Sequence, residues 1–465
     1  MRKNKFLKLF GCIFPVTLCF VLLASLFSPS AVALEENRTI LAIGDSISTG
    51  YGLDDPETQC FVYGLLGEGG KVTNMAINGN TASGILSQIK DKNHEKKITV
   101  EHIKEADIVT ITCGGNDMMA VLYSSIADEW NKNHQDDKID GTQVLEKLAE
   151  MDFGMLLTVV NLFNPESESY VINSKTFEDA LSEYAKNLKE ITEYINSVNP
   201  SVAVIVSTQY NPYAEFKGTK LDIVYKGFEE GVSRLNKIIN DNSFEGGYIV
   251  SDSKKLFDDS EGMGDYYNAD EKTMNLDFHP TAEGHELLAE SFANTISQLE
   301  YVEITVSSFF EGLDGAFSDE GVENLKYDVV RGKKVFATAK AVTGFTFDKD
   351  AEGTVLSAVA DEGVILKMYY TRNTYKLGWH TYEDILFEEY KFGQPITAPK
   401  VKRKGYNFMS WDEQVPETMP AADITFVALW GKKKMNPLVV VIVLLLIASA
   451  SISMWAYSKD KKKRS

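Results

Sequence analysis

The sequence predicts an α/β protein: a parallel sheet covered by helices, followed by a β-rich region and a single membrane-spanning helix. Three observations predict this. From Thr39 onward, short β-branched runs alternate with longer amphipathic segments. Beyond residue 300 helical periodicity gives way to β-branched and aromatic residues punctuated by Gly and Asp turn signals. Pro437 to Tyr457 carries no charge and, at about 1.5 Å per helical residue, spans roughly 31 Å, the thickness of a bilayer core. With 465 residues, 44% hydrophobic and 25% charged, the chain has room for more than one core. Its 67 acidic side chains against 47 basic ones give a net charge of -20, which repels a phosphate backbone and argues against a nucleic-acid partner.

The amino terminus reads as an export signal over residues 1–33. Arg2, Lys3, Lys5 and Lys8 precede the uncharged run Leu9 to Leu26, which is followed by Ser28, Pro29 and Ser30, and then Ala31 and Ala33 bracketing Val32 as a cleavage site. At the other end, the basic cluster Lys461 to Arg464 follows the apolar run and would stay cytoplasmic, placing everything between the two runs outside the cell. Residues 437–457 are then a transmembrane helix and 458–465 a cytoplasmic tail. No Leu-Pro-x-Thr-Gly sorting sequence precedes the helix, so the chain is expected to remain membrane-anchored. Of four cysteines, Cys12 and Cys19 leave with the signal; Cys60 and Cys113 remain and are expected as buried thiols, with a disulfide permitted by compartment.

Residues 34–300 form the predicted α/β domain. Its strands are Thr39 to Ile43, Val72 to Ala76, Ile108 to Thr112, Val202 to Ser207 and Tyr248 to Val250, several of them continuous apolar runs suited to burial on both faces. Phe177, Leu181, Tyr184, Leu188, Ile191 and Ile195 recur at steps of three or four and mark one helix face against the sheet. A last helix, about Ala282 to Leu299, buries Leu287, Leu288, Phe292 and Ile296. Met118 to Ser174 is too long for a plain connection and suggests inserted helices, either overhanging the carboxyl ends of the strands as a lid or decorating the fold away from the site.

The chemistry gathers at those strand ends. The first strand runs into Gly44, Asp45, Ser46, Ile47, Ser48, Thr49 and Gly50, which puts a serine at the rim where such sheets bind ligands. A hydroxyl needs a base, and His279 stands in Asp277, Phe278, His279, Pro280 with a carboxylate two residues upstream. His285, on the first turn of the last helix, reads as a helix-surface or supporting residue. Acyl transfer also needs donors aimed at a developing oxyanion; Asn78, Gly79, Asn80 follow the second strand and Gly114, Gly115, Asn116, Asp117 the third. Metal-binding patterns are poor: there is no His-Glu-x-x-His, and the segment starting at Asp348 has Val359 where a calcium loop needs its last glutamate.

This ordered set resembles the SGNH hydrolases, the GDSL esterase and lipase family, over roughly residues 37–299. The resemblance implies a flavodoxin-like three-layer αβα fold, with Ser46 as nucleophile, Gly79 and Asn116 as oxyanion donors beside the Ser46 N–H, and His279 as base. The family usually places its acid three residues before the histidine; that slot is Leu276 here, and Asp277 is the expected acid, with Asp270 as the alternative. Tyr210, Asn211, Pro212 and Tyr213 resemble a pocket-bordering loop of some members. The implied activity is two-step hydrolysis of carboxylic esters without cofactor or metal.

Residues 301–364 read as a β-rich connector or upstream repeat. Residues 365–431, with Tyr369 to Tyr375, Tyr406 to Trp411, Pro416, Thr418 to Pro420 and Trp430, resemble an internalin-B-type β-grasp repeat of bacterial surface proteins. Such a module acts as a stalk or binds a cell-wall or extracellular ligand. The whole is expected to be a cell-surface serine esterase or lipase acting on a lipid or an acylated glycan. The rival readings are a carbohydrate O-deacetylase on the same residues and an adhesin with an inactive hydrolase domain.

Overall fold

The computed structural model describes residues 37–463, apart from 68, 148–150, 152, 261–264, 271, 273, 274, 320 and 435. The expected signal segment, 1–33, lies outside the described residues, as does the end of the basic tail. In chain order the first elements are β1 (Thr39–Gly44), α1 (Ser46–Thr49), α2 (Pro56–Gln59), α3 (Phe61–Gly64), β2 (Lys71–Asn74), α4 (Ala82–Lys90), α5 (Val100–Glu105), β3 (Ile108–Thr112), α6 (Gly115–Asn133), α7 (Val144–Lys147) and α8 (Phe153–Leu162). There follow α9 (Lys175–Val198), β4 (Ala203–Ser207), α10 (Asp222–Gly246), β5 (Ile249–Ser251), α11 (Ser253–Asp259) and α12 (Ala282–Ser297).

The five strands form one parallel sheet in the order β2-β1-β3-β4-β5, the flavodoxin-like order in which the chain reverses direction beside β1. Alternate residues of β1 separate the two cores. Leu41 and Ile43 join a large cluster with α4, α6, α9 and α10, whereas Ile40 and Ala42 face α3, α11 and α12. The helical face predicted from Phe177 to Ile195 is buried along its length. Cys113 belongs to the first cluster and Cys60 to the second, so the sheet separates them and both are buried free thiols.

Much of the segment weighed as a lid packs into the core. Met118 already lies inside α6, and Val121, Leu122, Ile126, Trp130, Val144 and Leu162 are buried in the main core. Among the described residues of the segment, these side chains are committed to one core.

By contact density the chain divides into two units. The first runs to Val306 and takes in Asn324–Thr338 and Val355–Leu366; the second comprises Ser307–Glu323, Ala339–Thr354 and the chain from Lys367. The remaining strands are β6 (Tyr301–Phe310), β7 (Glu323–Val330), β8 (Lys334–Phe336), β9 (Phe345–Phe347), β10 (Ser357–Val359), β11 (Ile365–Arg372), β12 (Thr374–His380), β13 (Ile385–Lys391), β14 (Tyr406–Trp411) and β15 (Ile424–Lys432). Within the first unit, Lys333 enters the α/β domain ahead of β8. Its ammonium donates to Asn196 Oδ1 at 2.8 Å and to the Val202 carbonyl at 2.9 Å, and burial pushes it down to about 7.

The second unit contains a mixed sheet of order β13-β12-β15-β14, with β12 and β15 parallel and the other pairs antiparallel. Leu377, Trp379, Met419 and Phe426 form its core. The Asp348 segment is a turn in which Asp348 Oδ1 accepts the Asp350 N–H at 3.0 Å. Finally α13 (Pro437–Lys463) is, by length and composition, long and apolar enough to cross a membrane.

Candidate active site

The nucleophile candidate owes its position to a glycine that no other residue can replace. Gly44 ends β1 at φ +144 paired with Thr112, and a Cβ there would lie 2.2 Å from the Thr112 carbonyl oxygen. The chain can therefore hug β3 and turn at once into α1. Asp45 caps that short helix, its Oδ1 accepting the Ile47 N–H at 3.0 Å and the Thr112 hydroxyl at 3.0 Å. Thr112 also exchanges a 2.7 Å hydrogen bond with Ser48, so the turn is tied to β3 on both sides of Ser46. Asp45 is buried, and that desolvation raises its carboxyl from the ordinary 3.8 to about 7 despite both donors.

The second loop is stitched to the first. Asn74 donates to the Ser48 carbonyl at 2.7 Å, the Ile77 N–H reaches the Gly44 carbonyl at 3.0 Å, and Thr49 Oγ1 donates to Asn78 Oδ1. Gly79 follows at φ +73, in a turn where a Cβ would meet nothing within 4 Å, so its backbone is open. The third loop joins here as well: Asn116 Nδ2 donates to the Asn80 carbonyl at 3.0 Å. Its neighbour Asp117 accepts the Ala82 N–H at the start of α4, and burial lifts it to about 6.

The fourth piece comes from the irregular loop before α12. Asp277 Oδ1 and His279 Nδ1 are 2.6 Å apart, and the same oxygen accepts the His279 backbone N–H at 3.1 Å. Asp277 thus reaches the ring from two residues upstream, while Leu276 is 45% exposed. Asp270 is occupied elsewhere: its carboxylate accepts the Lys272 N–H, and its backbone pairs with Asn275. The His279 ring is nearly buried, with the Tyr51 ring centroid 4.7 Å away and that of Phe278 at 4.5 Å. Tyr51 in turn donates its N–H to the Ser46 carbonyl at 3.1 Å, linking the two halves of the site. Among the described residues no hydrogen bond joins the Ser46 hydroxyl to the ring; in unliganded enzymes that contact is often long and tightens when substrate binds.

Ser46 and Asn116 line a small, half-open cleft whose walls include Met118, Met119, Tyr210, Phe228 and Phe278. The loop of Asp277 is held by residues whose roles the sequence left open. The hydroxyl of Tyr213 donates to the Leu276 carbonyl at 2.9 Å and that of Tyr210 to the Phe278 carbonyl at 3.2 Å, bracketing Asp277. Asn211 secures both tyrosines' loop by donating to the Tyr225 carbonyl and to Glu229. Gln209 also reaches the cleft, held by reciprocal 2.7 Å hydrogen bonds between its backbone and the Asn236 amide. A run of polar and aromatic residues directly after a buried strand was the available signal for this group.

His285 lies fully buried, not on the helix surface. Its Nδ1 accepts the Phe61 N–H at 3.4 Å, and burial, reinforced by the neighbouring His279, lowers it to about 4. It stays neutral and packs α12 against α3.

Residues 42–287 match the model of the GDSL-like Lipase/Acylhydrolase family, just over half of the chain. The uncharacterized protein YpmR of Bacillus subtilis (strain 168) is 26% identical over 274 residues, covering 57% of this chain and 83% of that protein. Among solved structures, the lipase Lip_vut3 from a goat rumen metagenome is 19% identical with a TM-score of 0.36, covering 56% of this chain and 97% of its own. Phospholipase A1 from Streptomyces albidoflavus NA297 is 15% identical with a TM-score of 0.38, covering 56% and 99%. The acetylxylan esterase Axe2 from Geobacillus stearothermophilus is 19% identical with a TM-score of 0.30, covering 56% and 94%.

Proposed function

The chain belongs to the GDSL-like lipase/acylhydrolase family, and from that premise we propose that it is a serine esterase which hydrolyses carboxylic esters through an acyl-enzyme, held at the outer face of a membrane by α13. The observation that carries the reading is the 2.6 Å contact between Asp277 and His279 Nδ1. Because Nδ1–H is committed to the carboxylate, Nε2 keeps its lone pair and becomes the base. His279 then takes the Ser46 proton as the oxygen attacks the ester carbonyl. The Gly79 N–H, the Asn116 amide and the Ser46 N–H receive the oxyanion that forms. His279 returns its proton to the departing alcohol. A water deprotonated by the same ring attacks the acyl-enzyme and frees the acid, restoring Ser46.

The anchoring part of the reading is supported by the length of α13 and by the basic residues Lys461 to Lys463 that follow its apolar stretch. The test is Ser46→Ala in the detergent-solubilised full chain, assayed on p-nitrophenyl acetate and butyrate. Hydrolysis is expected to disappear with an unchanged thermal melt. Retained turnover would assign the attack to another residue.

A further inference from the structure

The second unit carries a cationic end directly before α13. β15 finishes at Lys432 and α13 begins at Pro437, with Lys433 and Lys434 in the link between them. Tyr406 pairs with Lys432, and the Lys433 N–H donates to the Gly405 carbonyl at 2.9 Å, so the loop leading into β14 is stitched to the same end. That loop, well upstream in the chain, supplies Lys402, Arg403 and Lys404. We infer that these six cations form a seat for the anionic phospholipid headgroups of the membrane that α13 enters. The inference rests on the membrane-anchored reading above and deepens it, by adding a lipid-facing surface to the helix.

Charge is the first argument. The chain as a whole carries -20, yet here positive side chains converge and outnumber Glu383 and Asp384, the acids of the β12–β13 turn. The five lysines are exposed, and among the described residues none of the six cations is held in an ion pair. Like charges crowded on one surface repel one another, and an anionic layer relieves that repulsion. Geometry is the second argument. The Arg403 guanidinium carbon lies 3.3 Å from the ring centroid of Tyr382 and 3.8 Å from that of Tyr406, which fixes the loop against the sheet end. Tyr382 is itself 59% exposed, so an aromatic ring stands beside the lysines, the composition favoured at a membrane–water boundary. Position then selects the partner. At no more than about 3.6 Å per residue, the link from Lys432 to Pro437 keeps this end within roughly 18 Å of the helix start, close to the headgroups whenever α13 is inserted. Salt screens such contacts, so the seat orients a module that α13 already holds and does not anchor the chain by itself.

The test is acetylation of lysines by a water-soluble succinimidyl ester, read residue by residue by mass spectrometry. The full chain is labelled in nanodiscs of phosphatidylcholine alone and of phosphatidylcholine mixed with phosphatidylglycerol. Relative to Lys92, an exposed lysine of the α/β domain, labelling of Lys402, Lys404 and Lys432 to Lys434 is expected to slow about fivefold in the anionic discs. The slowing should vanish in about 1 M salt, where charges are screened within about 3 Å. Slowing confined to Lys432 to Lys434, or equal labelling in the two lipids, overturns the seat and leaves α13 as an anchor. A full chain that does not enter the discs overturns the anchored reading and the seat with it.

Discussion

Asp45 sits beside the candidate nucleophile as a buried acid whose carboxyl is raised to about 7 by desolvation. Its pKa in the folded chain lies above the unfolded value of 3.8, so the folded state binds the proton more tightly. The stability this contributes is fully present below about 3.8 and is lost as pH rises through about 7. Asp45→Asn retains an acceptor oxygen for Ile47 and Thr112 but cannot ionise. Relative to the unaltered chain, the variant is expected to gain on the order of 2 kcal/mol between pH 5 and pH 8, measured as paired urea unfolding curves. A constant difference across that range would mean Asp45 does not titrate there. The candidates Ser46, Asn116 and His279 could be named from sequence because each stands in a short motif after a strand or before a helix. The perturbation of Asp45 could not, because it arises from how tightly β1, α1 and β3 close around it.

The loop carrying Asp277 and His279 has little regular structure of its own, so its geometry is imposed by neighbours. Tyr213 and Tyr210 grip the carbonyls on either side of Asp277, and α12 begins immediately after Pro280 with Thr281 as its cap. Removing one grip, in Tyr213→Phe, takes away a hydrogen bond worth about 1 kcal/mol and leaves the Leu276 carbonyl unheld. The expected result is a fall in kcat of about tenfold with KM little changed, read from steady-state kinetics; a change in KM alone would show that Tyr213 serves binding rather than the base. At this scale the five strands and the long helices were legible, since β-branched runs and three-to-four spacing are local signals. The region after β3 was left open between an overhanging lid and a structural decoration. An apolar run looks the same in sequence whether it covers a site or fills a core, and here Leu162 and Val144 fill the core.

At the scale of the whole molecule, an acidic chain of two units ends in a helix suited to a bilayer. If α13 is an anchor and nothing more, deletion of residues 437–465 is expected to move the protein from the membrane fraction to the soluble one. Hydrolysis per molecule should remain within about twofold, because the proposed machinery lies entirely in the first unit. Loss of activity on release would tie catalysis to the membrane. The presence of an α/β domain, a β-rich region and an apolar helix was readable from composition shifts, whereas the entry of Lys333 into the α/β domain was not, since a lysine beside Arg331 and Lys334 reads as solvent-facing. The central claim is that Ser46 is a nucleophile activated by His279. It is tested most directly by treating the native chain with a fluorophosphonate and locating the adduct by mass spectrometry. The account predicts a single adduct on Ser46 that fails to form in His279→Ala; an adduct on another residue, or equal labelling of Ser46 without His279, would contradict it.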